Sequence, residues 1–236
     1  MTDNIWLQHP QDYTKIENAT LKNVVHPIII DTVQQNGTKY LLDYGCGDGR
    51  LLEKIKHEIE ISVFDKSDEM LKLAEKRIGK RIGKTYNNPA IIPKNYFDCV
   101  ILSMILVCID NNKEFKQVLS DTYNTLKTGG IAIIAVTHPC FRQYPFSDYD
   151  TSYCHNQKFD YFKEGEPFEV TIVDKNTKKN VTFLDYHWTL SYTVNKLIET
   201  GFTIKQLVET KDDITSKKFN SLYSPFLVLI AQKNEK

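Results

Sequence analysis

The stretch Leu41-Leu42-Asp43-Tyr44-Gly45-Cys46-Gly47-Asp48-Gly49 restricts the possible folds of this chain more than any other. A short apolar run ends on a carboxylate, and three glycines at alternate positions follow before Arg50, Leu51 and Leu52. Glycines at that spacing allow a tight turn and let the backbone approach a neighbour or a ligand closely. A helix that begins directly afterwards offers unbonded N–H groups to an anion. Strand, glycine turn and helix in this order make the opening unit of a parallel α/β sheet.

The same alternation continues along the chain. Strands are predicted at Tyr40–Tyr44, Ile61–Phe64, around Lys84–Tyr86, at Phe97–Ser103 and Ile131–Val136, and finally at Thr203–Val208 and Phe226–Ala231. The runs 97–103 and 131–136 are almost continuously apolar, as in strands covered on both faces. Helices are predicted near 10–17, over 21–35 up to Gly37, and from Arg50 to His57. Three more follow: from the N-cap Ser67 through Arg77, over Asn112–Leu126 before Gly129-Gly130, and over Leu190–Thr200 closed by Gly201. The fold class is α/β: a Rossmann-like, doubly wound, seven-stranded, mostly parallel sheet with an N-terminal helical cap and a lid insertion after strand five. The chain reads as one domain over 1–236. Its parts are a cap at 1–37, a core at 38–137, a lid at 138–187, and a C-terminal helix with two strands at 188–236. The lid is aromatic and polar, with a hairpin of Phe168–Val173 and Asn180–Leu184 around Asp174–Lys179. Open α/β sheets bind ligands at the carboxyl ends of their strands, so this insertion is expected to cover the site.

Charge narrows the partners. Thirty basic and thirty acidic side chains cancel, and the only arginines are Arg50, Arg77, Arg81 and Arg142, so no basic surface for a polyphosphate backbone is expected. No apolar run approaches the roughly 18–20 residues of a membrane span, and Met1-Thr2-Asp3-Asn4 does not open like a signal peptide. A cytoplasmic protein acting as a monomer or homodimer, with no membrane and no nucleic-acid partner, is the expectation. The five cysteines form no CxxC and no Cys/His cluster, so reduced thiols and no metal are expected. The repeated Arg-Ile-Gly-Lys of 77–84 reads as a basic helix end that complements the helix dipole.

Asp65 closes the second strand sixteen residues after Gly49, where a carboxylate can accept hydrogen bonds from both hydroxyls of a ribose. Glycine turn and acid together point to a nucleoside-containing cofactor. A dinucleotide fingerprint would need a small residue at position 50, which is Arg50, and Asp43 would repel a pyrophosphate while suiting an ammonium group.

With those motifs, residues 41–136 resemble a class I S-adenosylmethionine-dependent methyltransferase of the small-molecule, type 11-like kind. Leu41–Gly49 resembles motif I, Val63–Leu71 motif II, Phe97–Ser103 the fourth strand and Leu126–Gly130 the turn before the fifth. The resemblance implies S-adenosyl-L-methionine as cofactor and S-adenosyl-L-homocysteine as product. It implies Asp43, Gly45, Cys46 and Gly47 around the methionine part, Asp65 on the ribose, Lys66 beside the adenine, Ser103 at the end of strand four, and Tyr13 closing over the cofactor. The family's usual Asp followed by a small residue after strand three is missing, and Tyr86-Asn87-Asn88-Pro89 stands there, so Asn87 or Asn88 would take its place, or the backbone would. The acceptor is expected to be a small organic molecule, methylated in line. The favoured base or substrate contact is His138, after strand five, against a hydrogen-bonded structural histidine; His187 is second. Arg142 could hold a substrate carboxylate or be a surface arginine, and Trp188 is a further substrate contact. Cys140 follows a proline but is read as a packed thiol, and most lid aromatics as the lid's own core. The rival readings are an RNA or tRNA methyltransferase and a non-catalytic S-adenosylmethionine-binding protein; a nicotinamide oxidoreductase is disfavoured by Arg50.

Overall fold

The structure, a computed structural model, describes residues 14, 16, 18–174, 177, 179–215 and 219–234. Tyr13 and almost all of the helix expected near 10–17 lie outside the described residues.

The main sheet has seven strands: β1 (Tyr40–Tyr44), β2 (Glu60–Phe64), β3 (Ile82–Tyr86), β4 (Phe97–Ser103), β5 (Leu126–Thr137) and, after the lid, two more. Within the lid lie β6 (Tyr149–Thr151), β7 (Glu166–Val173) and β8 (Asn180–His187). The last two strands of the main sheet are β9 (Phe202–Glu209) and β10 (Phe226–Lys233). Their order is β3-β2-β1-β4-β5-β10-β9, with β1 parallel to both β2 and β4, and β10 antiparallel to both its neighbours. The chain steps outward from β1 to β3, then crosses back to β4. The crevice at that reversal, above the carboxyl ends of β1 and β4, is where such sheets take ligands.

Alternation along the strands divides the core in two. Leu41, Ile61, Val63, Cys99, Ile101 and Ile133 face α1 (His26–Gln35) and α2 (Asp68–Ile78). Leu42, Phe64, Val100, Leu102 and Ile134 face α3 (Asn112–Thr125) and α4 (Leu190–Thr200). Each such side chain, fully removed from water, contributes about 1.5–3 kcal/mol, which explains why the continuous apolar runs occupy the sheet's centre. The edge strand β3 is mostly exposed, matching its weak sequence signal.

Several helix ends follow their sequence signals. Ser67 accepts from the Met70 N–H at the start of α2, and Thr189 from Tyr192 N–H at the start of α4, which ends at Gly201 with φ +110°. Two expectations need correction. The helix expected over 50–57 is reduced to a single 3₁₀ turn at Leu52–Lys54, and Ile55 is already extended. The carbonyls that would carry that helix onward are taken instead by Arg81, whose guanidinium donates to Leu52, Glu53 and Ile55 oxygens. Strand five begins earlier than Ile131: Leu126 already pairs with Phe97, and the chain bulges at 127–130 before pairing resumes at Cys99–Ile131.

The lid sheet, in the order β6-β7-β8, has its own core of Phe146, Tyr149, Tyr153, Phe168, Val170, Ile172, Val181 and Phe183. Most of the lid's aromatic residues are used in this way, as expected.

Candidate functional site

At the carboxyl end of β1 the glycine turn folds back on β2: the N–H groups of Gly45 and Cys46 both donate to the Phe64 carbonyl, at 2.7 and 3.0 Å. Two of the glycines are crowded by the protein itself, at left-handed φ values of +85° and +76°. A Cβ on Gly45 would lie 2.0 Å from Ile105 Cδ1, and one on Gly49 3.1 Å from Ala74 of α2. Gly47 differs: a Cβ there would meet nothing within 4 Å, so the turn is open above it. Its φ of +53° turns its N–H to Asp65, whose Oδ2 accepts it at 2.9 Å while Oδ1 accepts from Ser67 N–H at 2.9 Å. Asp65 therefore clamps motif I to the end of β2 and keeps further lone pairs on the same two oxygens. Burial raises its pKa, against the pull of those N–H bonds.

Asp43 lies beneath this turn, 2% exposed, and its Oδ1 has no hydrogen-bond partner. Burial, reinforced by the charge of Asp65, pushes its pKa up to about 7. Such a group needs a cationic or donor partner. Cys46 packs into the core with its thiol pKa raised by burial. Ser103 ends β4, and Met104 after it takes a left-handed φ of 59°, its N–H held by the Ala135 carbonyl at 2.8 Å. Lys66 is exposed and paired with Glu114. Asn87 donates to Asp68 at 3.1 Å, while Asn88 caps the turn after β3 by accepting from Ala90 N–H at 2.9 Å.

Sequence reading missed the role of Asp48. Buried, it accepts from Arg50 at 2.9–3.2 Å and from Arg77 at 2.9 Å, and Arg77 also binds the Asp48 carbonyl. Burial alone would raise its pKa, but the two guanidinium groups hold it below the ordinary carboxylate value. Arg50 further reaches the Ile16 and Thr14 carbonyls, at 3.0 and 3.4 Å. The arginine that replaces a third small residue thus ties the N-terminal segment to the glycine turn.

At the lid junction the two candidate histidines differ. His138 has both ring nitrogens occupied: Nδ1 accepts from Cys140 N–H at 3.2 Å, so Nε2 carries the hydrogen and donates to Glu209 at 3.0 Å. His187 donates from Nε2 to the Tyr161 carbonyl at 2.8 Å, which leaves Nδ1 an unprotonated acceptor, buried and without a partner. Burial and then Arg142 lower its pKa to about 4. Arg142 is no surface residue: it is 3% exposed, donates to Thr137 Oγ1 at 2.6 Å, and lies 4.7 Å over the Phe168 ring. Trp188 donates its indole N–H to the Ile109 carbonyl at 3.0 Å and stacks on Tyr192, anchoring the end of the lid. Cys140 is half-buried with its thiol 3.8 Å from the Tyr161 hydroxyl. Among the described residues no cluster suited to a metal ion occurs, and no helix is long and apolar enough to cross a membrane.

Residues 42–132 match a family described as a methyltransferase domain. No curated protein matches the chain. Solved structures with the same fold include an S-adenosylmethionine-dependent methyltransferase from Methanosarcina mazei, with 21% identity and a TM-score of 0.63 over 89% of this chain and 98% of that one. An amino pentose methyltransferase from Micromonospora echinaspora, solved with S-adenosylmethionine bound, shares 14% identity at a TM-score of 0.62 over 89% and 90% of the two chains. A 1,6-didemethyltoxoflavin N1-methyltransferase from Burkholderia thailandensis, solved with its substrate and S-adenosylhomocysteine, shares 15% identity at a TM-score of 0.58 over 98% and 84%.

Proposed function

Residues 42–132 form a class I S-adenosylmethionine-dependent methyltransferase domain, and on that premise we propose that this chain methylates a small organic acceptor beneath its lid. The observation that carries the reading is Asp43, a buried carboxylate with an unpartnered oxygen directly under the open glycine turn. It suits the ammonium end of the cofactor's amino-acid tail, with Gly45, Cys46 and Gly47 along that tail. Asp65 would accept from the ribose hydroxyls, and Lys66, Asn87 and Asn88 border the adenine. Ser103 closes the cradle from β4. Tyr13, outside the described residues, would cover it.

S-Adenosylmethionine supplies a methyl group already activated on a sulfonium, so the protein's own task is alignment and exclusion of water. His187 is better prepared than His138 to face the acceptor, because its Nε2 bond to the Tyr161 carbonyl leaves Nδ1 an unpartnered acceptor while both nitrogens of His138 are engaged. Arg142 would orient the acceptor from the end of β5. A small acceptor is supported by the neutral net charge and by the acceptors of the amino pentose and didemethyltoxoflavin enzymes that share the fold.

Calorimetric titration with S-adenosylmethionine, S-adenosylhomocysteine and NADH, on the wild type and on Asp65→Ala, tests the reading. Micromolar binding of the two sulfur nucleosides, weakened in the variant and absent for NADH, is expected. Binding of NADH alone, or of none of the three, would overturn it.

A further inference from the structure

The lid junction contains a set of buried polar atoms for which the protein provides no partner. Arg142 Nε, Asp185 Oδ1 and His187 Nδ1 are all unpaired, in residues 3%, 2% and 0% exposed. Native proteins pair the great majority of such atoms, so three within one neighbourhood need an explanation. They do share a neighbourhood. Asp185 pairs with Phe168 across the β7–β8 ladder, and the Arg142 guanidinium lies over the Phe168 ring. Asp185 and His187 are two residues apart on β8 and so point from the same face. That face begins with Val181 and Phe183, which pack in the lid core, and turns polar toward the end of β5, where Thr137 holds Arg142. Tyr149 is buried in the same group; its hydroxyl is also without a partner and can donate or accept, and burial and then the charge of Asp185 raise its pKa.

The chemistry of these atoms defines a complement. Arg142 Nε can only donate; His187 Nδ1, fixed as an acceptor by the Tyr161 carbonyl, can only accept, and Asp185 Oδ1 accepts whenever its carboxyl is ionised. A carboxylate ligand would satisfy Arg142 and leave both acceptors facing its own lone pairs. Where Asp185 is ionised, it would also add a second negative charge beside the one that already offsets Arg142. A neutral group with at least two O–H or N–H donors and one acceptor oxygen satisfies all three.

We propose that Arg142, Asp185 and His187 form the acceptor-binding pocket of the enzyme, and that its acceptor is an uncharged molecule presenting adjacent hydroxyl or amide groups rather than a carboxylate. This rests on the methyltransferase reading above and narrows its substrate class. The void beside Arg142 and Trp188 measures only about 10 Å³, room for one water, so entry of an acceptor would require the segment around it to shift.

The test uses S-adenosylhomocysteine to establish that each protein is folded and binds cofactor. Ligand-observed NMR then follows three probes: methyl β-D-glucopyranoside for neutral hydroxyls, nicotinamide for a neutral amide, and glucuronate for the same ring with a carboxylate. The wild type should bind one of the neutral probes about tenfold better than glucuronate. Asp185→Asn, which is isosteric and leaves Arg142 uncompensated, should reduce that preference to about one or reverse it, with S-adenosylhomocysteine affinity unchanged. His187→Gln should weaken the preferred neutral probe without favouring glucuronate. A wild type that prefers glucuronate, that binds no probe, or whose preference survives Asp185→Asn would overturn the proposal. Failure of S-adenosylhomocysteine to bind the wild type would instead overturn the methyltransferase reading.

Discussion

Asp48 and Asp185 are both about 2% exposed, both near arginine, and yet opposite in construction. Asp48, in the glycine turn, receives hydrogen bonds from Arg50 and Arg77, which hold its pKa down. Asp185, in the lid, has an unpaired oxygen, and burial drives its pKa up to about 7 despite Arg142. A buried charge with its partners in place is a clamp. A buried charge without them stores a desolvation cost that a ligand can relieve.

The sharpest way to break this contrast is to remove each acid. Asp48→Ala takes the shared carboxylate from Arg50 and Arg77 at a buried site and should cost about 3 kcal/mol, toward the low end for a buried pair because both guanidinium groups are partly exposed and keep carbonyl partners. At pH 7, Asp185→Asn should change stability by less than about 1 kcal/mol. Urea denaturation of both variants measures the difference; equal losses would make Asp185 a structural clamp as well.

The same contrast exists between glycines of one turn. Gly45→Ala drives a methyl group into Ile105 at a φ of +85° and should cost about 2 kcal/mol. Gly47→Ala meets no atom, so it should cost only about 1 kcal/mol of left-handed strain. It should nevertheless weaken S-adenosylhomocysteine binding the more per unit of stability lost, because its methyl enters the open space. Melting curves and calorimetry on the pair separate the two effects.

Acid titration sharpens the comparison next. Asp43 and Asp185, raised from 3.8 to about 7, hold protons in the folded state that the unfolded chain has released. Their contribution to stability is therefore full below 3.8 and lost as pH rises to about 7. His26 and His187, lowered from 6.5 to about 4, act in the opposite sense, losing stability as pH falls through that window. The wild-type profile should be nearly flat between pH 4 and 7 as a result. Asp185→Asn removes one rising arm, so wild type should gain on this variant as pH falls, by up to about 1.4 kcal/mol per pH unit. Asp48 behaves conversely: its contribution is present above the ordinary carboxylate value and lost as pH falls through its depressed pKa. Chemical denaturation from pH 7 down to below 3.8 reads all three slopes, and a pH-independent difference for Asp185→Asn would contradict its unpaired state.

These contrasts also mark what the sequence could convey. The apolar runs of β1 and β4 were legible to the residue, because a strand buried on both faces admits nothing else. Asp43 and Asp65 were legible through their spacing from the glycines. Asp185 was not, since the hairpin reading stopped at Leu184; continuing its alternation by three residues puts Asp185 and His187 on the buried face, and that was the available signal. The engagement of both nitrogens of His138 depends on Glu209, 71 residues away, and no local pattern encodes it.

The lost helix after the glycine turn belongs to the same class of long-range effect, and it yields the smallest expected change. Leu51, Leu52 and Ile55 are all buried, but a 3₁₀ turn buries them as well as a helix would. The choice between the two falls to Arg81, on the far side of α2, which donates to the carbonyls of Leu52, Glu53 and Ile55. Arg81→Met keeps the aliphatic stem and removes those donors, at a cost of about 1 kcal/mol. Hydrogen exchange should then quicken across 52–59 while β1 and β4 keep their protection. Unchanged exchange there would mean that the turn is fixed by its apolar packing alone, and that Arg81 is not part of the paired scaffold on which the open site depends.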